Sequence, residues 1–387
     1  MMTDASRSTG ARALRRLSVL VMLAALAIVE GGWTSDDQWR AAAKESLIVT
    51  SNVPTGSYSV FTKLSSLGIN PFPTVQNFSP ALDLPRGIIL DKSSNLWGTN
   101  CSGPTSDGSI SMFSKNQLQH LFLKDNPTPT VFIEDQGDGL TLDCPKGLVF
   151  IKQNLYVASS GSTDGFPAIV EFSKNQLQVK GASTIDPFTY FVSDTPVFGE
   201  LGQLAVDKKG DLWVPDLNNQ VVYGWTPSSL NSVAGKGGNA AQPLKLNPDF
   251  ILRSSSFNFL EAAAFDGSGK LWVSDHHNNQ LYAFTPSQIT ENASNEVPTI
   301  IISPVTLTTP TGSTSSLLTP TWLSFQSDGY LWVTNSHSDH FGSVAGFSAS
   351  SIQTSGSPTP QIFFDSDPSG GNFDHPVSLT VVTKFKF

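Results

Sequence analysis

Hydrophobic and polar positions along this chain follow a pattern that returns at a near-constant interval. Each copy has a short apolar run, a polar turn, and then a segment in which Leu precedes an aromatic residue. The aromatic residues of the five copies are 59, 57, 59 and 60 residues apart, and they are Trp97, Tyr156, Trp213, Trp272 and Trp332. This period is too long for a solenoid repeat and suits a four-stranded propeller blade with one extended connection. The pattern therefore predicts an all-β fold.

The parts of each copy predict the strands of a blade. Apolar runs such as Gly87–Leu90 indicate a first strand that is covered on both faces. A glycine-containing turn such as Asp207–Asp211 leads into the Leu-aromatic second strand. The third strand ends on an aromatic residue, and capping boxes such as Ser114–Gln117 then predict one helical turn. A proline-rich lead-in such as Pro127–Val131 feeds the fourth strand, where proline is tolerated at a sheet edge.

The two ends of the chain together supply one more blade. Residues 46–78 match a blade that lacks its first strand, and His375–Val381 aligns with the first strand at Leu84–Leu90. A blade built from both ends closes the ring and leaves no unpaired edge. Five full blades and one composite blade predict a six-bladed β-propeller, in which blade 1 begins near Leu84 and the composite blade is blade 6.

Composition and charge limit the classes of partner. Of the 387 residues, 14% are charged and 39% are hydrophobic, which suits a turn-rich globular fold with a real core. The formal net charge of −9 argues against a protein that binds nucleic-acid phosphates, because such a protein needs a basic face. We expect a monomer whose partner is a small molecule or a protein, and no nucleic acid.

The N-terminus carries a targeting signal. Four arginines precede the uncharged apolar run Leu17–Val29, which suits the core of a signal peptide and is short for a bilayer span. We therefore predict a signal peptide or N-terminal anchor over residues 1–30, a linker over 31–45 and the propeller over 46–387. Beyond that possible anchor we predict no transmembrane segment. The protein is expected to be secreted or periplasmic.

The only two cysteines fit an exported chain. Cys101 and Cys144 lack the CxxC spacing of a metal site, so a disulfide is the better interpretation. Cys101 follows a second strand of blade 1 and Cys144 lies at the entry to blade 2, and propeller geometry brings those two loops to one face. We predict that the bond joins blades 1 and 2.

The repeats resemble a known family. The segments Gly87–Asp91 with Asn95–Trp97, and Leu204–Asp207 with Asp211–Val214, are similar to NHL-type repeats, and the resemblance covers roughly residues 46–387. It implies a six-bladed propeller in a superfamily shared with gluconolactonase-like and virginiamycin B lyase-like proteins. Because that superfamily holds lactonases, lyases and binding modules, the resemblance is specific for the fold and not for the function.

Two rings of residues are expected on one face, around the mouth of the central channel. The first, here called the strand-end ring, contains the last residue of each second strand: Ser51, Asn100, Ser159, Asp216, Asp275 and Asn335. These polar residues either bind a ligand or an ion, or they end strands and cap turns. The second, here called the strand-start ring, precedes each first strand: Arg86, Lys146, Gly202, Glu261, Thr321 and Val377.

Metal binding at this face is an open alternative. Resemblance to the calcium- or zinc-dependent gluconolactonase family implies carboxylate and amide ligands in the strand-start ring, where this chain offers only Glu261. Hard divalent ions need several converging oxygen ligands, so a lactonase site of that design is disfavoured. The remaining metal candidates are Glu261, Asp275, Asp374 and His375, and the cofactor is unknown, with a divalent metal such as calcium as the alternative.

Histidines are concentrated in the last three blades, beside carboxylates. The catalytic candidates are His276, His277, His337 and His340. Imidazoles in such positions can perform acid–base chemistry or bind a transition metal, and the resemblance to virginiamycin B lyase implies a histidine base with magnesium. Our leading hypothesis is a binding scaffold for a ligand or protein at the channel mouth. The alternative is a metal-assisted hydrolase or lyase that uses this cluster.

Overall fold

Antiparallel strands form most of the regular structure in the computed structural model of this chain. It describes residues 46–51, 57–62, 75–78, 82–101, 108–121, 128–134, 142–161, 167–291, 293–309, 312–336, 342–365 and 375–382. The predicted signal peptide and linker lie outside the described residues. None of the helices in the described part has the length and hydropathy needed to span a bilayer.

The strands group into six blades, as predicted. The first strands of the described chain are β1 (Ser46–Ser51), β2 (Ser57–Thr62) and β3 (Val75–Phe78), which belong to blade 6. Blade 1 contains β4 (Pro85–Leu90), β5 (Leu96–Asn100), β6 (Ser109–Phe113) and β7 (Val131–Glu134). Blade 2 contains β8 (Pro145–Ile151), β9 (Asn154–Ser159), β10 (Ala168–Phe172) and, after an extra strand β11 (Gly181–Thr184), β12 (Thr189–Val192).

Blades 3 to 5 repeat this order. Blade 3 contains β13 (Ala205–Val206), β14 (Leu212–Asp216), β15 (Val221–Trp225) and, after β16 (Leu244–Lys245), β17 (Phe250–Arg253). Blade 4 contains β18 (Leu260–Phe265), β19 (Leu271–Asp275), β20 (Gln280–Phe284) and β21 (Ile300–Ile302). A separate hairpin, β22 (Thr306–Thr309) and β23 (Gly312–Ser315), precedes blade 5, which contains β24 (Pro320–Phe325), β25 (Leu331–Ser336), β26 (Gly342–Phe347) and β27 (Ile362–Asp365).

The composite closing blade is confirmed. The last strand, β28 (Pro376–Val382), pairs antiparallel with β1, and Val49 lies opposite Leu379. The hydroxyls of Thr50 and Ser378 are 2.6 Å apart across this pairing. Because β28 is the first strand of blade 6 and β1 to β3 are its other strands, the ring closes through backbone hydrogen bonds between the two ends of the chain.

Blades 1 and 2 differ from the predicted four-stranded unit. Strand β11 pairs in parallel with the outer strand β7 of blade 1, and β16 pairs in parallel with the outer strand β12 of blade 2. Each added strand comes from the connection between the third and fourth strands of the next blade. The extra length of the repeats therefore covers what would otherwise be an exposed sheet edge.

Short helices follow the third strands of blades 1 to 3, and the first two begin at the capping boxes Ser114–Gln117 and Ser173–Gln176. The box at Thr285–Gln288 in blade 4 forms its hydrogen bond but is followed by a turn and not by a helix. The helices are α1 (Lys115–Leu121), a 3-10 turn at Gln176–Gln178, and α2 (Pro227–Val233). At α1 the backbone N–H of Ser114 donates to the Gln117 side chain at 2.9 Å, and the N–H of Gln117 donates back to the Ser114 hydroxyl at 3.2 Å. This reciprocal pair is the arrangement that defines a capping box.

The repeating aromatic residue explains how adjacent blades pack. Trp213 meets Phe265 of the next blade edge to face, with ring centroids 6.0 Å apart. Trp272 and Phe325 repeat the contact between blades 4 and 5 at 5.9 Å. Aromatic side chains bury large areas and favour such edge-on or tilted contacts. The periodic signal in the sequence is therefore an interblade packing signal.

Candidate functional site

A cavity at the start of the first strands receives residues from all six blades. Its volume is about 110 Å³, and we call it the mouth cavity. All six members of the strand-start ring line it, together with Gln203, His276, Trp322 and Ser336. The cavity therefore lies on the channel axis, where the sequence placed the strand-start ring.

β-Bulges turn the strand-start residues toward the channel. The pairing of first and second strands shifts register at this point in blades 1, 2, 4 and 5, and a bulge re-aims the side chains beside it. In four blades a residue with positive φ precedes a proline that starts the strand: Leu84 (48°), Cys144 (45°), Thr319 (52°) and His375 (45°). Positive φ is uncommon for residues other than glycine, so this repeated conformation marks a constrained entry to the channel.

The inner strands approach closely below the mouth. A Cβ atom on Gly202 would lie 2.1 Å from the carbonyl oxygen of Glu261, so only glycine fits there. The Gln203 side chain reaches Leu323 of blade 5, donating to its carbonyl at 2.9 Å and accepting from its N–H at 3.0 Å. The Gln203 side chain therefore forms part of the cavity floor.

Four charged or titratable groups form a connected cluster in the mouth. Lys146 Nζ lies 2.5 Å from Glu200 Oε1 and 3.5 Å from Glu261 Oε1. Glu261 Oε2 lies 3.1 Å from His276 Nδ1. Burial alone would raise the pKa of Glu261, but the charge of Lys146, the hydrogen bond from His276 and the charge of Arg86 together lower that pKa to about 2. Glu261 is therefore ionised at neutral pH.

Among the residues that the structure describes, no carboxylate contacts the Arg86 guanidinium. Its buried Nε atom has no hydrogen-bond partner, and among the described residues the guanidinium forms no ion pair. Burial lowers its pKa, while the charges of Glu261 and Glu200 oppose that shift. A guanidinium still stays protonated in proteins. The buried Nε–H is thus an unmet donor on a side chain that lines the mouth cavity.

The strand-end ring lies on the same face but is turned into the protein. All six members are at most 1% exposed, and none lines the mouth cavity. Asp275 accepts hydrogen bonds from the N–H groups of Asn258 (2.8 Å) and Asn278 (2.9 Å). Asp216 accepts from Gly199 at 2.7 Å and from Asn219 at 2.9 Å. These carboxylates anchor the entering and leaving loops to the strand end.

The other members of this ring make similar contacts. Asn100 donates to the Ser109 hydroxyl at 3.0 Å, and Asn335 donates to the Ser343 hydroxyl at 2.9 Å. Ser159 donates to the carbonyl of Asp143 at 3.1 Å, and Ser51 is also buried. The two Asn contacts join residues that lie opposite each other on paired strands, and the Ser159 contact holds the loop that enters blade 2. Ligand binding by the strand-end ring stays a prediction.

The histidine candidates separate into different positions. His276 lines the mouth cavity, whereas His277 is exposed and stacks on Phe259 with ring centroids 4.5 Å apart. His375 precedes β28 at a positive φ. His337, His340 and Asp374 lie outside the described residues. The catalytic role predicted for His337 and His340 and the metal-binding role predicted for Asp374 stay predictions.

The strand-start ring does not fit a divalent cation. Within the described part of the chain, no three His, Cys, Asp or Glu side chains converge as a metal-ligand set. Glu261 would be the central ligand, but its two oxygens face Lys146 and His276. A divalent ion there would also meet the positive charge of Arg86. We therefore assign no metal-dependent step to this cavity.

The predicted disulfide is confirmed. Cys101 and Cys144 are bonded, with Cα atoms 4.1 Å apart, and they join blade 1 to blade 2. Cys101 directly follows Asn100 of the strand-end ring, and Cys144 lies two residues before Lys146 of the strand-start ring. The bond therefore ties the two rings together at one point of the face.

Sequence reasoning missed Glu200 and Gln203. Glu200 lies in the irregular segment that enters blade 3, so no repeat position marks it. Gln203 begins the predicted first strand of blade 3, but the pattern does not indicate that its side chain reaches blade 5. A carboxylate close to a strand-start position was the available signal for Glu200. Its partner Lys146 belongs to the preceding blade, and only the closed ring brings the two side chains together.

Comparisons with known proteins support the fold. No family model and no curated protein sequence matches the chain. Its structure is similar to that of a protein of unknown function from Bacteroides caccae, at 12% identity and a TM-score of 0.52, over 87% of this chain and 98% of that one. This similarity shows the fold and no more.

Two enzymes are also similar, at lower scores. One is a periplasmic gluconolactonase of Pseudomonas aeruginosa, at 12% identity and a TM-score of 0.47, over 84% of this chain and 82% of that one. The other is the virginiamycin B lyase of Staphylococcus aureus, at 12% identity and a TM-score of 0.38, over 73% of this chain and 83% of that one. Both are proteins of the kinds that the repeat resemblance indicated.

Proposed function

We propose that this chain is an exported propeller that binds a small ligand at the mouth cavity through a carboxylate of that ligand. The observation that carries the proposal is the unpartnered Arg86 guanidinium, which lines a cavity shared by all six blades. The predicted signal peptide and the Cys101–Cys144 disulfide support export, since disulfides persist in oxidising compartments.

The chemistry of Arg86 favours a carboxylate. A guanidinium presents parallel N–H donors in a fixed plane, which match the two oxygens of a carboxylate. Among the described residues, Lys146 is paired with Glu200 and Glu261, whereas Arg86 has no ion-pair partner. Thr321 and Ser336 also line the cavity and offer hydroxyl groups to other polar atoms of the ligand.

The size of the cavity limits what it can enclose. At about 110 Å³ it accommodates the carboxylate end of a ligand, and the remainder would extend over the loops of the same face. The floor made by Gln203 and Trp322 prevents deeper entry. We therefore expect weak binding of the smallest carboxylates and tighter binding of larger molecules that carry one.

Calorimetry with acetate and glycolate tests this proposal, with neutral acetamide as the comparison ligand. Binding should be detectable for the carboxylates only, and Arg86→Gln should weaken it about tenfold or more, which corresponds to losing roughly 1.4 kcal/mol. Arg253→Gln is the matched control, because Arg253 is exposed on the outer strand of blade 3. Equal binding of acetamide, or an equal loss in the control, would contradict the proposal.

A second candidate function is acid–base catalysis by His276. The contact between Nδ1 of His276 and Oε2 of Glu261, at 3.1 Å, is the specific observation. An ionised carboxylate at this distance favours the tautomer with hydrogen on Nδ1 and leaves Nε2 to accept a proton. Arg86 would then stabilise negative charge that develops on a substrate oxygen. Lactone hydrolysis and proton abstraction by a lyase both use such a base.

Turnover of a panel of aliphatic lactones tests the catalytic candidate. His276→Gln should lower kcat/KM by about a hundredfold or more, the usual effect of removing a general base, while acetate binding persists. His277→Gln, one residue away on the exposed side, should leave turnover unchanged. If the His276 variant retains full turnover, His276 is not the base.

A further inference from the structure

A second and larger cavity lies between blades 1 and 2, at the opposite end of the strands from the mouth. Its volume is about 540 Å³, within the range of sites that bind drug-sized molecules. It is bordered by the turns that follow the first strands of both blades and by the helical turn that follows β10. We call it the lysine cavity, after the four lysines described below.

The floor of the lysine cavity is apolar. Trp97 and Phe150 meet there edge to face, with centroids 5.8 Å apart, and Phe150 is only half-buried. Met112, Val131 and Leu177 complete the floor. An apolar or aromatic group of a ligand would therefore gain burial against these side chains.

A comparison with blade 3 explains why this space is open. In blade 3, Phe250 of the fourth strand stacks on Trp213 with ring centroids 5.2 Å apart. Phe250 pairs with Gly224, and the equivalent pair in blade 1 is Val131 with Met112. Val131 carries no ring to cover Trp97 as Phe250 covers Trp213, and the Met112 side chain lines the cavity at the position where blade 3 has Gly224. A ligand ring would supply the aromatic contact that Phe250 makes in blade 3.

The rim of the lysine cavity is positively charged. Its four lysines are all exposed, and in the described part of the chain none forms an ion pair: Lys92, Lys152, Lys174 and Lys180. Asp91, a carboxylate among the described lining residues, accepts hydrogen bonds from the Trp97 indole at 3.0 Å and the Asn95 amide at 2.8 Å. The chain as a whole has a net charge of −9, so a group of four lysines around one cavity differs from the rest of the protein in the sign of its charge.

We propose that the lysine cavity binds a small aromatic anion, with its ring on the apolar floor and its sulfonate, phosphate or carboxylate among the lysines. The cavity volume, the apolar floor and the unpaired charges each meet one requirement of such a ligand. This site is separate from the mouth cavity, and the inference does not depend on the function proposed there.

Titration with naphthalene-2-sulfonate tests the proposal, with the neutral 2-naphthalenemethanol as the comparison probe. Binding is followed by calorimetry and by the change in tryptophan fluorescence. The sulfonate should bind at least about tenfold more tightly than the alcohol, and Lys152→Gln with Lys174→Gln should remove that difference. The matched control is Lys208→Gln with Lys209→Gln, which makes the same charge change on the equivalent turn of blade 3.

Two further variants locate the site. Val131→Phe, which copies Phe250 of blade 3, should weaken binding of both probes because it fills the cavity. Arg86→Gln should leave binding unchanged, because Arg86 lies in the other cavity. Equal affinities for the two probes, or an equal loss in the Lys208/Lys209 control, would overturn the proposal. So would retention of full sulfonate affinity in the Lys152/Lys174 variant.

Discussion

The strand-end ring and the strand-start ring surround the same channel mouth, yet they use polar residues in different ways. Asp275 and Asp216 of the strand-end ring are buried, and their carboxylates accept hydrogen bonds from nearby loop N–H groups. In the strand-start ring, Arg86 and Glu261 line the cavity, and the Nε of Arg86 has no partner. The difference teaches that polarity alone does not identify a binding site. The donors and acceptors that the fold leaves unused identify it.

Removing the disulfide should have the largest effect, because it ties the two rings together. For the separation of 43 residues between Cys101 and Cys144, loop-closure entropy predicts a loss of about 4 kcal/mol in the free energy of unfolding of C101S/C144S. Urea denaturation of the oxidised protein and the double variant measures this loss. A change below about 1 kcal/mol would show that the bond adds little to the blade 1–blade 2 contact.

Next in size should be the loss of a strand-end carboxylate. Asp275→Ala leaves the buried loop N–H groups at Asn258 and Asn278 without their acceptor, so we expect a destabilisation of about 3 kcal/mol. Denaturant unfolding measures it. Asp194→Ala is the control, since the Asp194 side chain forms an exposed ion pair with Lys245 in the described structure and its loss should cost at most about 1 kcal/mol. Equal effects would remove the structural role assigned to this ring.

A smaller, pH-dependent effect is expected from Glu261 of the strand-start ring. Its pKa is lowered from 4.5 to about 2 in the folded protein, so its ionised form stabilises the fold fully above about pH 4.5. That contribution, at most about 3 kcal/mol, is lost as the pH falls toward 2. The stability difference between wild type and Glu261→Gln should therefore shrink between pH 5 and pH 2. A constant difference over that range would contradict the assigned contacts.

The smallest effect on stability should come from Arg86→Gln. Because the guanidinium is buried and has no partner among the described residues, its removal relieves a desolvation cost and should lower the free energy of unfolding by no more than about 1 kcal/mol. Thermal and urea unfolding of wild type and Arg86→Gln, with Arg253→Gln as the control, would measure the change. A loss comparable to that of Asp275→Ala would mean that Arg86 serves the fold and not a ligand.

The sequence repeat was sufficient to predict the architecture. Trp97 and its equivalents pack between blades, so their spacing indicated the number of complete blades. The match of the C-terminal segment to Leu84–Leu90 indicated how the ring closes, and so predicted the composite blade 6. The disulfide followed from the blade positions of its two cysteines. Strands β11 and β16 could not be predicted in this way, because they lie in connections that do not repeat and pair with a neighbouring blade.

The chemistry of the mouth was only partly predictable. The strand-start positions could be enumerated, but whether a polar side chain points into the channel depends on local bulges such as the one between Pro85 and Ile88. The contact of Lys146 with Glu200 joins residues 54 positions apart, across two blades. Hydrogen-bond satisfaction, which separates Arg86 from Asp275, is a property of the folded ring and has no local sequence signal.

The central claim is that Arg86 offers its unused donors to a carboxylate ligand, and its side-chain NMR signal tests this most directly. With 15N-labelled arginine, the Nε–H resonance of Arg86 is assigned by its absence in Arg86→Gln. Adding acetate should shift that resonance, while Arg253 and an acetamide titration show no comparable change. An Arg86 resonance that stays in place at saturating acetate, or that moves equally with acetamide, would contradict the account.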